Sequence, residues 1–469
     1  MSSLDTSHAS GHGLQAMALR LTGLLPARLG ERIRNMLLEA NDLGSVLRGA
    51  ASVLAIRVAG AGITFMSMVL LARWMGAFEF GIYAYVWTWV ILLGTMAPLG
   101  LNTSVLRFIP EYVARRRWRR LWGLLARANL IVLGSGLVVG AAAALTLLLL
   151  EPVIDAYYVM PFAVALMALP IFAMADIQES AARAFGWVTL AYIIPYVVRP
   201  LMLLGGIGAL VLAGLSPDAV TAMLAMTSAC ALGLALQASI LFRGIRRTVP
   251  RARPRYHAAY WLRISMPMLV FEGAYLLMSS TDVIMLGQIE DSASVAIYFA
   301  AARTASLIGF VYFAITARAV PKFSEINASG TRADLQAFLD GVNRMSFWPS
   351  IAGALALLTV GGYVLTLFGP GFDAGHIVLL ILVMGYVARC TVGPLEYLLS
   401  MTGKQMVATW VICTSAALNL GLNALLIPEF GTMGAAIATL ASLIANLAML
   451  AIAVKRYLGL NAFLFRLSS

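Results

Sequence analysis

The chain has 469 residues, of which 61% are hydrophobic and 12% charged, and a formal net charge of +12 at pH 7. Soluble domains hold about 25% charged residues, because polar side chains must cover their outside. At half that share, and with a mean hydropathy of +0.88, the sequence excludes a water-soluble fold and points to a chain that crosses a bilayer many times.

Residues 1–47 are polar at the start and amphipathic over 13–40, where Leu and Met alternate with Arg. That stretch reads as a cytoplasmic segment on the inner surface, where each basic residue attracts anionic lipid by about 1 kcal/mol. No cleavable leader is expected, since the first long apolar run begins near Gly49. A helix needs about 20 apolar residues to cross the hydrocarbon. Runs of that size fall at 49–73, 81–100, 125–150, 158–176, 188–214, 219–242, 264–287, 294–316, 346–368, 375–399, 405–427 and 431–454. None alternates as the strands of a membrane barrel do. The expected fold class is an all-α membrane protein of about 12 transmembrane helices.

Basic residues set the orientation. Apart from Arg73 and four arginines inside the runs, every Lys and Arg lies in the N-terminal segment, the C-terminus, or a loop after an even-numbered run and its edges, Arg127 among these. The densest loops are 101–124 and 243–263, the second with Arg243, Arg246, Arg247, Arg251, Arg253, Arg255 and Arg263. Basic loops stay in the cytoplasm, so both termini are placed inside. This topological role accounts for the positive charge, and no nucleic-acid partner is expected.

Three short anchors recur roughly 210 positions apart. Met75-Gly76 before Gly81-Ile82-Tyr83 is echoed by Leu286-Gly287 before Ala296-Ile297-Tyr298. Arg107-Phe108-Ile109-Pro110 matches Arg318-Ala319-Val320-Pro321, and Glu179 with Gly186 matches Glu396 with Gly403. Such a shift covers an even number of runs, so both copies enter the membrane in the same sense. That predicts two parallel six-helix lobes about a central cavity, related by an axis along the membrane normal. The expected organisation is an N-terminal segment 1–47, a first lobe 48–243, a basic linker 244–263, a second lobe 264–456 and a tail 457–469.

Charges inside the runs are the candidate functional residues: Arg57, Arg199, Arg303 and Arg389, with the acids Glu272, Asp282 and Glu396. An arginine at the bilayer centre costs at least about 2.5–3.5 kcal/mol. The three acids offer charge pairing or ion coupling, with Asp282 expected near the outer surface. Four guanidinia outnumber them. A surplus of planar, permanently charged donors suits phosphate oxygens. Pro195 and Pro200 flank Arg199 and are expected to kink its helix, as Pro267 and Pro394 are for theirs. Cys230, Cys390 and Cys413 lie in apolar runs, and the histidines form no cluster. With no P-loop and no catalytic constellation on a loop, no cofactor, metal or enzymatic activity is expected.

The stretch RVAGAGITFMSMVLLARWMGAFEFGIYAYVW, followed by Gly100–Tyr112 (GLNTSVLRFIPEY), resembles the polysaccharide-transporter family. These are the O-antigen and exopolysaccharide lipid flippases of the multidrug/oligosaccharidyl-lipid/polysaccharide exporter superfamily. TDVIMLG at Thr281–Gly287 and the AIYFAAART that follows are similar to the family's seventh and eighth helices. The likeness covers residues 48 to about 456. It implies a V-shaped pair of lobes around a cationic cavity. It also implies transport of an undecaprenyl-diphosphate-linked oligosaccharide across the bacterial cytoplasmic membrane, with a polysaccharide polymerase among possible partners. Family positions map to Arg57 and Arg303, whereas Arg199 and Arg389 are assigned from depth alone. Membrane potential or an ion carried by Glu272 would drive alternating access. Two alternatives are a multidrug or cation antiporter of the same superfamily, and a membrane glycosyltransferase or polymerase. The antiporter should use an acid in place of Arg57, and the enzyme needs a longer outer loop than any present.

Overall fold

The structure is a computed structural model and describes residues 43–463; the amphipathic stretch 13–40 lies outside the described residues. The chain divides into two units, Met1–Arg57 and Val58–Ser469. What is described of the first is helical. The second carries the remaining elements.

Every regular element among the described residues is a helix, the form in which a single segment satisfies its own backbone in hydrocarbon. In chain order they are α1 (Leu43–Met96), α2 (Leu101–Ala114), α3 (Trp118–Leu150), α4 (Ala156–Ala184) and α5 (Val188–Ile193). Then come α6 (Arg199–Leu212), α7 (Ala219–Thr248), α8 (Ala258–Ile289), α9 (Ser292–Ala305) and α10 (Gly309–Ser329). The last are α11 (Arg332–Thr366), α12 (His376–Val392), α13 (Leu395–Met401) and α14 (Gln405–Leu458). Nine helical segments among the described residues are long and apolar enough to cross a membrane, and Ser292–Ile308 is a shorter apolar one. The protein is therefore a multi-pass, all-α membrane protein.

Two of those segments are not single rods. Gly76 in α1 (φ 79°) and Gly431 in α14 (φ 54°) both leave the helical region, at φ values that L side chains adopt only with strain. At Gly431 the chain doubles back. Asn446 Nδ2 donates to Ser415 Oγ at 2.8 Å and Asn419 Nδ2 to Ser442 Oγ at 2.9 Å, so the two legs of α14 run antiparallel. Polar ties of this kind hold helices together where lipid supplies no hydrophobic drive.

The segment 101–124, read as a loop from hydropathy, is helical over most of its length. In α2 the buried positions Leu101, Val105, Phe108, Ile109 and Tyr112 recur at three- and four-residue spacing, the signature of one packed face. The proline expectation at Arg199 matches a π-helical turn, Ile194–Val198, between α5 and α6. Pro394 follows a break at Gly393 (φ 72°) between α12 and α13. Pro267 sits inside α8 without interrupting it.

Within the larger unit, α4 packs on α3, α2 and α7, and α6 on α7; further along, α14 packs on α8, α12 and α13, and α11 on α12. The two groups meet along α2 and α8 and through a cluster that includes Phe80, Phe299 and Phe372. The sequence repeat has structural counterparts. Gly186 and Gly403 share φ 79°. After α7 the chain returns to α3, where Trp122 Nε1 donates to the Pro250 carbonyl at 2.9 Å. After α14 it returns to α11, where Gln336 Nε2 donates to the Asn461 carbonyl at 2.9 Å.

One consequence of the α14 reversal is testable. A Cβ on Gly434 would stand 2.1 Å from the Leu426 carbonyl oxygen. Gly434→Leu is expected to destabilise the protein by about 1–3 kcal/mol through overpacking, read as a lower Tm in detergent. Gly421→Leu, where the space around the added atom is open, serves as the control.

Candidate functional site

The charged residues singled out in the sequence gather mostly in the second half of the chain. Arg303 occupies the last turn of α9, and its guanidinium carbon lies 4.7 Å from the centroid of Phe299, one turn earlier. An aromatic face stabilises a cation by about 0.5–2 kcal/mol without neutralising it. Asp282 of α8 and Tyr386 of α12 lie within electrostatic reach of Arg303. Asp282 is buried within the protein. Its oxygens accept the Tyr298 hydroxyl at 2.5 Å and the Val283 amide at 2.8 Å.

Arg389 has a different environment. Its Nη2 stands 2.5 Å from Glu396 Oε1, and its guanidinium lies 5.0 Å from the Tyr312 ring centroid. The break at Gly393 and Pro394 turns α13 back so that this pair can form across it. A cavity of about 110 Å³ opens beside the pair, with Tyr275, Tyr397 and Asn446 among its walls. Tyr386 interacts with both Arg303 and Arg389, so these two predicted residues share one neighbourhood. Arg389 is nonetheless already matched by an acid.

Arg199 stands apart from them in α6, just past the π-helical turn. Its guanidinium carbon lies 5.7 Å from the Phe172 centroid and 5.9 Å from that of Trp87, with the Cys230 thiol beside it. Arg57 is half-buried in the smaller unit. Ion pairs among the described residues are Arg115–Glu111, Arg183–Glu179, Lys322–Glu325 and Arg389–Glu396. Arg199 and Arg303 belong to none of them.

Glu272 meets no arginine in these pairs. It accepts the Thr103 hydroxyl and, at 3.2 Å, Asn102 Nδ2, both from α2. The same Asn102 nitrogen donates to Asp176 Oδ2 of α4 at 2.8 Å. One amide thus ties two carboxylates together at the α2–α8 seam. Ser265 Oγ to Ser104 Oγ (2.7 Å) and Trp261 Nε1 to Tyr112 OH (3.0 Å) continue the seam. Asp176 and Asn102 were missed in the sequence because each lay at the edge of an apolar run. The readable signal was that α4 continues helically to Ala184, which puts Asp176 well inside it.

A profile of the polysaccharide biosynthesis protein family matches residues 46–327. The chain belongs to that family. No curated protein matches the sequence. Among solved structures, the lipid II flippase MurJ in an inward closed conformation aligns with a TM-score of 0.69 at 13% identity, covering 86% of this chain and 87% of that one. An inward-facing multidrug resistance MATE transporter of the MOP superfamily gives 0.67 at 12% identity, over 87% and 94%. A eukaryotic MATE transporter, AtDTX14, gives 0.61 at 12% identity, over 87% and 94%. At these identities the likeness establishes a MurJ- and MATE-like fold for this family member.

The Arg389–Glu396 pair yields a stability prediction. Glu396→Ala leaves a largely buried guanidinium unmatched and is expected to cost about 3–5 kcal/mol. Removing both partners is expected to cost less than removing Glu396 alone. Thermal unfolding of the purified single and double variants measures the difference.

Proposed function

We propose that the protein is a flippase for an undecaprenyl-diphosphate-linked oligosaccharide, an O-antigen or exopolysaccharide repeat unit, in the bacterial cytoplasmic membrane. It is a transporter in this reading, not an enzyme, and it works by alternating access. Family membership over residues 46–327 supports the polysaccharide context. The observation that carries the reading is that Arg199 and Arg303 face aromatic rings and take part in no ion pair among the described residues.

A guanidinium over an aromatic ring keeps its charge and leaves its N–H fork for another acceptor. A pyrophosphate offers oxygens of matching geometry. Arg199 and Arg303 would hold it, with Arg389 released from Glu396 as the anion approaches. The prenyl chain remains in lipid while the sugars cross with the head. A polysaccharide polymerase would take the unit on the far side. Arg303→Ala and Arg199→Ala should each lose a charged hydrogen bond, slowing translocation about 10- to 100-fold. Proteoliposomes loaded with the labelled lipid-linked oligosaccharide read this directly. Wild-type rates in both well-folded variants would overturn the assignment.

Glu272 and Asp176 are the proposed coupling groups. Two carboxylates sharing one neutral donor in a poorly hydrated seam repel when both are charged, so a proton or small cation there favours the closed seam. Opening must break the Glu272 bonds to Thr103 and Asn102. Glu272→Gln is expected to abolish the response of transport to an imposed pH gradient while leaving substrate binding intact. The same pair favours a second reading, a multidrug or cation antiporter. Proton-driven export of an organic cation, with no movement of the lipid-linked sugar, would select it.

A further inference from the structure

We propose that the basic linker between the two repeats forms a binding site for the headgroup of an anionic phospholipid, with the phosphate held by Arg246 and Arg251 beside Trp122. The linker is not a loose tether. Val249 is buried, Trp122 Nε1 holds the Pro250 carbonyl at 2.9 Å, and the Arg255 amide donates to the Arg119 carbonyl at 2.8 Å. It runs so close to α3 that a Cβ on Gly123 would lie 2.1 Å from the Arg255 carbonyl oxygen. Only glycine admits that approach.

This strap leaves a cleft of about 350 Å³ lined by Trp122, Arg246, Arg251, Ala252 and Pro254. Both guanidinia are exposed, and neither belongs to an ion pair among the described residues. Residues 243–263 contain no acid. The facing end of α3 and its approach add Arg116, Arg117, Arg119 and Arg120, while the nearby Glu111 is taken by Arg115 at 3.1 Å. Among the described residues, no acid pairs with the Arg246 or Arg251 guanidinium. Guanidinium pairs bind phosphate in a fork, and a half-buried indole is at home at the headgroup level of a bilayer.

The repeat supplies an internal comparison. The strap that follows α14 is pinned to α11 in the same way, by Gln336 with Asn461 and by Asn343 Nδ2 with the Ala462 carbonyl at 2.8 Å. That strap works with amides. Neither strap is pinned by a guanidinium, so those of the first strap are left for a ligand. The inference is independent of the transported substrate.

The full chain, purified in detergent, is titrated with phosphatidylglycerol or with phosphatidylcholine of the same acyl chains, and retained lipid is counted by native mass spectrometry. Arg246→Gln/Arg251→Gln is expected to need about thirtyfold more phosphatidylglycerol for the same occupancy, two arginines each losing surface attraction to the anionic lipid. Binding of phosphatidylcholine should not change. Arg344→Gln, an exposed charge on α11, should behave as wild type, and Arg246→Lys/Arg251→Lys should recover part of the loss. Equal phosphatidylglycerol retention by wild type and the Gln variant overturns the proposal, as does an equal loss in Arg344→Gln. Millimolar inorganic phosphate should fail to displace the lipid. Displacement by phosphate alone would assign the cleft to a free anion and overturn the lipid assignment.

Discussion

A guanidinium inside a helical membrane protein must be solvated by the protein itself, and much of the second half of this chain is arranged around that demand. Desolvating an arginine without a partner is expensive, and at the bilayer centre the cost is several kcal/mol. Two solutions occur here. Arg389 has a carboxylate at 2.5 Å, which cancels its charge and fixes its position. Arg199 and Arg303 have aromatic faces at 4.7–5.9 Å, which offset part of the cost and leave the charge in place. The first solution favours structure. The second keeps a site electrostatically open, which a fold selected for stability alone has little reason to do.

The broad fold was legible because hydropathy measures transfer into lipid, and lipid is the solvent that the spans face. In-run prolines were legible for a local reason, since their effects act within a few residues. Pro195 and Pro200 thus bracket a π-helical turn, and Gly393 with Pro394 breaks the chain between α12 and α13. The segment 101–124 was misread because α2 is amphipathic: half its surface packs on protein, and hydropathy averaged over the window hides that half.

The charged residues show the limit of local reading more sharply. The Asp176–Asn102–Glu272 cluster was invisible because its members come from three helices, and a residue's partner across a helix interface leaves no mark in its own neighbourhood. The Arg389–Glu396 pair, seven residues apart, was closer to reach. It still required knowing that the helix breaks between them.

The repeat separates what each half needs from what only one half has. Both halves return the chain after their last helix onto an earlier one, and both use a side-chain donor to a carbonyl to do so. These features hold a half together. The matched acids Glu179 and Glu396 each pair with an arginine, Arg183 and Arg389, whereas the α2–α8 carboxylate seam joins the halves. Glu272 makes its bonds to the opposite half through Thr103 and Asn102. Any motion that parts α2 from α8 takes the Thr103 and Asn102 donors away from Glu272. A seam built of hydrocarbon contacts alone would part without regard to ions. In the proposed transport cycle, two carboxylates on a single shared amide are what would tie the closed seam to a bound proton or cation, and so to a gradient.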